Sequence, residues 1–483
     1  MNIQQSQIDI IAKIVAERLK SQDEVALSKG ISSKSISTEG ISKETVSSEG
    51  IFEDMDTAIE AAYQAQRTLF EKSLEFRKKI TNAIKAELML HVEELAMLAV
   101  KESGMGNVKD KIIKNTVAIE KTPSVEDLMS GVFTGDDGLT LLEYSPFGVI
   151  GAIAPSTNPS ETVICNSIGM IAAGNAVVFC PHPGSYKTSN LAIKYINKAI
   201  KSVGGPANLV VTMLKPSMAA VETMMHHPLI NMLCATGGPS VVKAVLESGK
   251  KAIGAGAGNP PVLVDETADI EKAARDIING CSFDNNLPCI AEKEAIVVDE
   301  ICDYLIFNMK QNGAYELTDK VLIQKLETLV FKSEGVLNRE FVGKDAKYIL
   351  DKIDISVGDE IKAIIMEADK DHPFVVEELM MPILPIVRVK DASEGIDLAC
   401  KLEHGLRHTA MCHSKNIDVL TEMAHRIQTT IFVKNGPSYA GIGVGGEGFT
   451  TFTIAGPTGE GLTSAKSFTR RRRCVLVGGF NIK

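Results

Sequence analysis

Downstream of residue 160 the chain alternates short, mainly apolar runs with amphipathic stretches, and this rhythm limits the possible folds more than any other feature. The runs AVVFC (176–180), LVVTM (209–213), NMLCAT (231–236) and PVLVD (261–265) have the length and β-branched content of strands buried on both faces. Between them lie helix-like stretches: one from about Ser160 to Gly174-Asn175, one ending at Gly204, one over 217–227 and one after Pro239. Strand and helix in regular exchange predict an α/β fold, a parallel sheet covered by helices on both sides. Residues 270–450 repeat the rhythm less cleanly, which predicts a second α/β domain. Upstream, 56–104 carries apolar positions at spacings of three and four, room for two helices with Gly104 as the stop. GLTLLEYSPFGVIGAIAPSTNP reads as a strand, a turn at Ser145-Pro146 and a second strand.

The front of the chain is different. Ile8, Ile11, Val15 and Leu19 form one helical stripe in residues 1–20. The following stretch, 21–50, is rich in Ser, Lys, Glu and Gly, with Gly-Ile at 30, 40 and 50; it buries too little apolar surface to offset its chain entropy and reads as a flexible linker. A lone helix of that length is marginal in water, so an amphipathic one on such a tether is expected to find its order on a partner.

Length and charge narrow the function. The chain has 483 residues, enough for two to four domains. Lys plus Arg total 51 against 61 Asp plus Glu, a formal charge of −10, which argues against nucleic acid or an anionic membrane as partner and favours a small molecule. No run approaches the ~18 apolar residues of a membrane span, and the first residues lack the pattern of a secretory leader, so a soluble, unsecreted protein is expected. The nine cysteines are scattered singly, as in a reducing compartment. No CxxC or HExxH occurs; His404 and His408, four apart, lack a third ligand, and no metal site is expected.

Ligands of such sheets bind at the carboxyl ends of strands. Thr236, Gly237, Gly238, Pro239 and Ser240 stand at one of these ends and open a helix whose amides and dipole suit a pyrophosphate; a tight turn explains the same residues equally well. IGAGAGNPP (253–261) is a second glycine cluster before a strand. Cys289, in FDNNLPCIAEK (283–293), differs from Cys180 and Cys234, which sit inside apolar strands. A reactive thiol needs partial exposure and neighbours that favour its anion, and a polar loop supplies both.

APSTNPSET (154–162), ATGGPS (235–240), GAGAGNPPVLVDETAD (254–269), FDNNLPCIAEK, EELMMPILPIV (377–387) and SYAGIGVGGEGFTTFTIAGPTGEG (438–461) together resemble the CoA-acylating aldehyde dehydrogenases, over nearly all of 50–483. The nearer likeness is to the branch that handles propanal in propanediol-utilisation microcompartments, with the acetaldehyde branch of ethanolamine utilisation as the alternative. A catalytically silent, microcompartment-associated binding protein is the remote one. The resemblance implies a Rossmann-type cofactor domain (51–130 and 148–258), a catalytic domain (259–455) and a β oligomerisation element (131–147 and 456–483). It implies Cys289 as nucleophile and the Asn158 amide as oxyanion donor. For NAD it implies the pyrophosphate at 236–240, the ribose at Glu378, and contacts from Pro155, Ser156, Thr157, His182 and Pro183. His182 and Pro183 stand where the hydrolytic branch has a lysine, which leaves the preference for NAD over NADP open. That branch also carries a water-activating glutamate in the segment matching 253–261, and this chain has no carboxylate there. Coenzyme A then takes the acyl group in place of water. The same likeness implies that residues 1–20 address shell proteins of a cytoplasmic microcompartment, and that the protein is a homodimer or homotetramer.

Overall fold

The computed structural model describes residues 49–482. The amphipathic segment 1–20 and residues 21–48 of the expected linker lie outside them. Glu49 and Gly50, the last two linker residues, belong to the fold: Asn197 donates to the Glu49 carbonyl at 3.3 Å and the Thr212 amide to Gly50 O at 2.8 Å. At Gly50 φ is +83°, and a Cβ would stand 2.3 Å from Asn197 Nδ2, so the glycine that ends the Gly-Ile series is a structural requirement rather than part of a tether.

Two parallel sheets organise the rest. The first runs in spatial order Ile51–Phe52, Val210–Met213, Ala176–Pro181, Val149–Ala154, Ile230–Thr236, Lys251–Ala255. The second runs Ala314–Glu316, Ala363–Glu367, Ile383–Val389, Glu294–Val298, Pro261–Val264, Thr409–His413, Ile431–Lys434. The four apolar runs of the sequence fall in them as expected, the first three in the first sheet and the fourth in the second. Apart from the exposed Asn231 their side chains are buried, and helices such as Pro159–Ala172 and Tyr186–Ser202 cover the first sheet. Both sheets are wholly parallel, so loops at one edge of each gather the strand carboxyl ends.

One local expectation changes. Residues 56–104 form three helices, Met55–Phe70, Leu74–Met89 and Val92–Ser103, not two. Ser73 Oγ accepts from the Phe76 amide and the helix restarts, and a second break falls at Leu90 and His91; the apolar spacing runs across both, so periodicity alone conceals them. Gly104 ends the third helix at φ +69°. Arginines 470–473 lie in strand Thr469–Val477, which pairs antiparallel with Gly138–Pro146, and Gly131–Gly135 completes a small third sheet. The guanidiniums are solvent-exposed, and the same sheet presents Val132, Phe133, Val475, Leu476 and Val477 to solvent.

Candidate active site

Cys289 follows a stretch of unusual backbone. Asp284, Asn285 and Asn286 have φ of 48°, 55° and 64°, three successive residues in the left-handed region. Such a residue costs about 1–2 kcal/mol, least for Asn and Asp, so the turn persists only where its surroundings over-determine it. They do. The Asp284 carboxylate accepts from Lys111 Nζ at 2.9 Å, Lys114 Nζ at 2.6 Å and the Asn107 amide at 3.0 Å, while its own N–H donates to Asp110 at 2.8 Å. Asn285 donates to Gly343 O. Asn286 donates to Cys281 O and Glu292 O, and accepts from Lys293 Nζ at 2.6 Å. Gly106 is held at φ +72° so close to this carboxylate that a Cβ would lie 2.0 Å from Asp284 Oδ1.

Lys114 carries the same network to Asn158. Its ammonium donates to Asn158 Oδ1 at 2.7 Å and pairs with Glu161 at 3.2 Å. Lys111, Lys114, Glu161 and Asp284 are all fully or almost fully buried, two charges of each sign. Burial pulls Lys114 down, but Asp284 and Glu161 outweigh it and hold the ammonium above its ordinary pKa. With Oδ1 engaged by a cation, the Asn158 amide has one orientation, and Nδ2 is the group left to donate; its one contact is Thr157 Oγ1 at 3.2 Å. Asn158 stands just before helix Pro159–Ala172, its neighbours Pro155, Ser156 and Thr157 forming the loop from strand Val149–Ala154.

Cys289 is partly exposed, unlike Cys180 and Cys234. Desolvation pushes its thiol up to about 12; the charge of Glu378 adds to this, and Lys293 and Lys114 act against it. Glu378 is itself pushed up by burial, with Lys293 and the Gly258 amide opposing. Gly258 also permits a close approach, since a Cβ there would stand 2.6 Å from Cys289 O and 2.9 Å from His408 Cγ. The glycine cluster 253–261 thus runs against the thiol's own backbone, and Asn259 ties it down by donating to Val375 O and Leu402 O.

The remaining expected residues form a second group at the carboxyl ends of the first sheet. His182 and Pro183 follow strand Ala176–Pro181, and Gly237, Gly238 and Ser240 follow strand Ile230–Thr236. The Gly237 amide is spent on Ala255 O, and the Thr236 hydroxyl turns inward to Thr453 Oγ1 at 2.8 Å. Next to His182, at the start of helix Tyr186–Ser202, Ser185 Oγ is buried without a partner. An orphaned hydroxyl beside open glycine turns and a helix N-terminus fits the sugar and phosphate groups of a dinucleotide.

Residues 44–318 match the model of the Aldehyde dehydrogenase family. The chain belongs to that family. Propanal dehydrogenase (CoA-propanoylating) of Citrobacter freundii is 52% identical over 90% of this chain and 94% of its own. Acetaldehyde dehydrogenase (acetylating) EutE of Escherichia coli is 48% identical over 90% and 93%. The structure of Rhodopseudomonas palustris propionaldehyde dehydrogenase with bound CoA and an acylated cysteine superposes with TM-score 0.89 at 59% identity, covering 91% of this chain and 100% of the other. A propionaldehyde dehydrogenase from the fucose utilisation microcompartment of Clostridium phytofermentans gives 0.88 at 56%, covering 90% and 100%.

Sequence reasoning passed over two parts of this aldehyde dehydrogenase site. Lys114 lies in an ordinary amphipathic helix, Val108–Lys121, and nothing in its spacing distinguishes it from a surface lysine. His408 was paired with His404 by spacing alone, and the two part company: His404 is exposed and contacts Val376 O, whereas His408 is buried against Gly258 with Nε2 unpartnered. Burial, helped by Lys293, pushes His408 down to about 4, so it is neutral at pH 7.

Proposed function

We propose that this aldehyde dehydrogenase oxidises propanal with NAD and CoA to propanoyl-CoA and NADH, releasing one proton. The observation that carries the reading is the Asn158 amide held in one orientation by Lys114, on the same buried charge network as the turn that presents Cys289. Cys289, whose thiol burial keeps protonated at rest, loses its proton and attacks the carbonyl carbon as thiolate, and Asn158 Nδ2 donates to the oxygen as charge develops there; loss of such a donor costs about 10²–10³ in turnover. NAD, held by Gly237, Gly238 and Ser240 at its pyrophosphate, Glu378 at the ribose, and Pro155, Ser156, Thr157, His182 and Pro183 along the groove, supplies the hydride acceptor.

Cys289 then carries the acyl group as a thioester. Segment 253–261 brings no carboxylate to activate water, so the thioester waits for the CoA thiol. His408 is placed to take that thiol's proton: with its own proton donated from Nδ1 to Thr409 Oγ1 at 2.9 Å, Nε2 presents a free lone pair. Cys289 leaves as thiolate.

Residues 1–20 direct the protein to a microcompartment shell in the bacterial cytoplasm, a reading supported by their helical stripe and by the microcompartment source of one relative. The apolar face of the small sheet, with Phe133 62% and Val477 79% exposed, supports a homodimer or homotetramer. The decisive assay follows NADH from propanal with and without CoA. Sustained turnover only with CoA is expected; equal rates without it would sink the acylating reading, and a higher kcat/KM for acetaldehyde would move the enzyme to the acetaldehyde branch.

A further inference from the structure

The segment that carries Cys289 is closed on itself through Asn286. Asn286 Nδ2 donates to Glu292 O at 3.0 Å, and Lys293 Nζ donates to Asn286 Oδ1 at 2.6 Å and Asn286 O at 3.0 Å. Cys289 stands midway along the chain between these pinned ends. The Glu292 side chain fixes the closed loop to the rest of the molecule. One of its carboxylate oxygens accepts from the Ser438 amide at 2.8 Å and the other from Ser438 Oγ at 2.7 Å. The next residue, Tyr439, sets its ring against Phe283, where the segment begins, with centroids 5.1 Å apart. Both ends of segment 283–293 therefore rest on Ser438 and Tyr439. The carboxylate has no room to swing away, being fully buried and pressed so close to Gly280 that a Cβ there would stand 2.2 Å from either oxygen.

Resting on the catalytic reading of Cys289 above, we propose that Glu292 is a positioning residue for the thiol, and that it grips Ser438 harder as an anion than as a neutral acid, so that proton uptake by this one carboxyl slows attack by Cys289. Both Glu292 oxygens are engaged by neutral donors of one serine. Burial pushes the carboxyl up to about 7; the two Ser438 bonds oppose this, and the charge of Lys293 does so less. The other titratable groups facing it are Cys281, on helix Ile270–Ser282, and Tyr439; burial pushes both up, and the charge of Glu292 adds to it. Ionised, Glu292 accepts two charge-assisted hydrogen bonds, which are about twice as strong as neutral ones. Protonated, it turns its own O–H on Ser438 Oγ, and the pairing that remains is neutral.

The test follows alkylation of Cys289 by iodoacetamide, read as adduct mass on its peptide from pH 5.5 to 8.5, and needs neither NAD nor CoA. A thiol pushed up to about 12 gives a rate that rises about tenfold per pH unit across this range. On top of that slope the wild-type protein is expected to lose a further factor of about five or more as pH falls through about 7. Glu292→Gln, which keeps the shape and can still pair with Ser438, is expected to follow the single slope. Ser438→Ala removes a bond that holds the carboxyl down, so the extra fall should move to higher pH. A single slope in the wild type overturns the inference, as does an extra fall that Glu292→Gln leaves in place. Should Glu292→Gln fail to fold, Ser438→Ala decides: an extra fall at unchanged pH overturns the inference. CoA-dependent propanal turnover is measured alongside: its absence defeats the catalytic reading, and its presence with a single alkylation slope defeats this inference alone.

Discussion

The two sides of Cys289 handle buried charge in opposite ways. On the side of helix Val108–Lys121, Lys111, Lys114, Asp284 and Glu161 pair two against two; burial pulls Lys111 down, but Lys114 is held above its ordinary pKa. On the side of the second sheet, Glu294, Glu378, Lys293 and His408 are all pushed towards their neutral forms by burial, and Glu294 has neither carboxylate oxygen paired. A balanced network has nothing to gain from moving a proton, so it fixes geometry. Groups that burial holds towards neutrality resist taking a charge, and two of them, Glu378 and Lys293, act directly on the Cys289 thiol.

Substitutions on each side should separate these roles. The largest effect belongs to the thiol itself: Cys289→Ala is expected to lower kcat by about 10⁴-fold or more while NAD binding, followed by fluorescence titration, stays near wild type. Next is Lys114→Met, which leaves Glu161 without its ion pair and Asp284 with one cation instead of two. Breaking a buried pair this way costs about 3–5 kcal/mol, read as a fall in the midpoint of urea unfolding; an unchanged midpoint would mean that the network is not what holds the turn. Asn158→Ala should lower kcat about 10²–10³-fold at nearly unchanged stability.

On the second side, His408→Ala is expected to keep the first burst of NADH and slow steady-state turnover about 10–100-fold, since only transfer to CoA needs that imidazole. Loss of the burst as well would place His408 in the first half of the reaction. The smallest effect concerns Glu294. Its pKa is raised in the folded protein, so its contribution to stability is complete below the ordinary 4.5 and falls as pH rises towards the folded value. Glu294→Gln has no such loss. Its stability relative to wild type should therefore improve from pH 5 to pH 9 in parallel unfolding curves, and a flat difference would show that the carboxyl is not held neutral.

Much of this molecule was legible in one dimension. Short apolar runs such as 176–180 and 231–236 admit hardly any state but a buried parallel strand, because each is too short for a core helix and too uniform for a half-exposed strand. The difference in exposure between Cys289 and the strand residues Cys180 and Cys234 was legible, because its neighbours are polar where theirs are not. The breaks at Ser73 and Leu90 were illegible, since the apolar phase continues through them. Arginines 470–473 lie in an edge strand with both faces in solvent, which accepts four consecutive charges.

Local chemistry and spacing along the chain therefore determined the α/β architecture, the polar setting of Cys289 and the absence of a carboxylate in 253–261, all properties of residues near in sequence. Only the folded chain decided that Lys114 would orient Asn158, that His408 and not His404 would be buried against Gly258, and that Thr162 would be left unpaired. Each of these depends on which buried groups from distant segments meet, and the cost of leaving a charge or a hydrogen bond unmet is set by that meeting and by nothing in the residue itself.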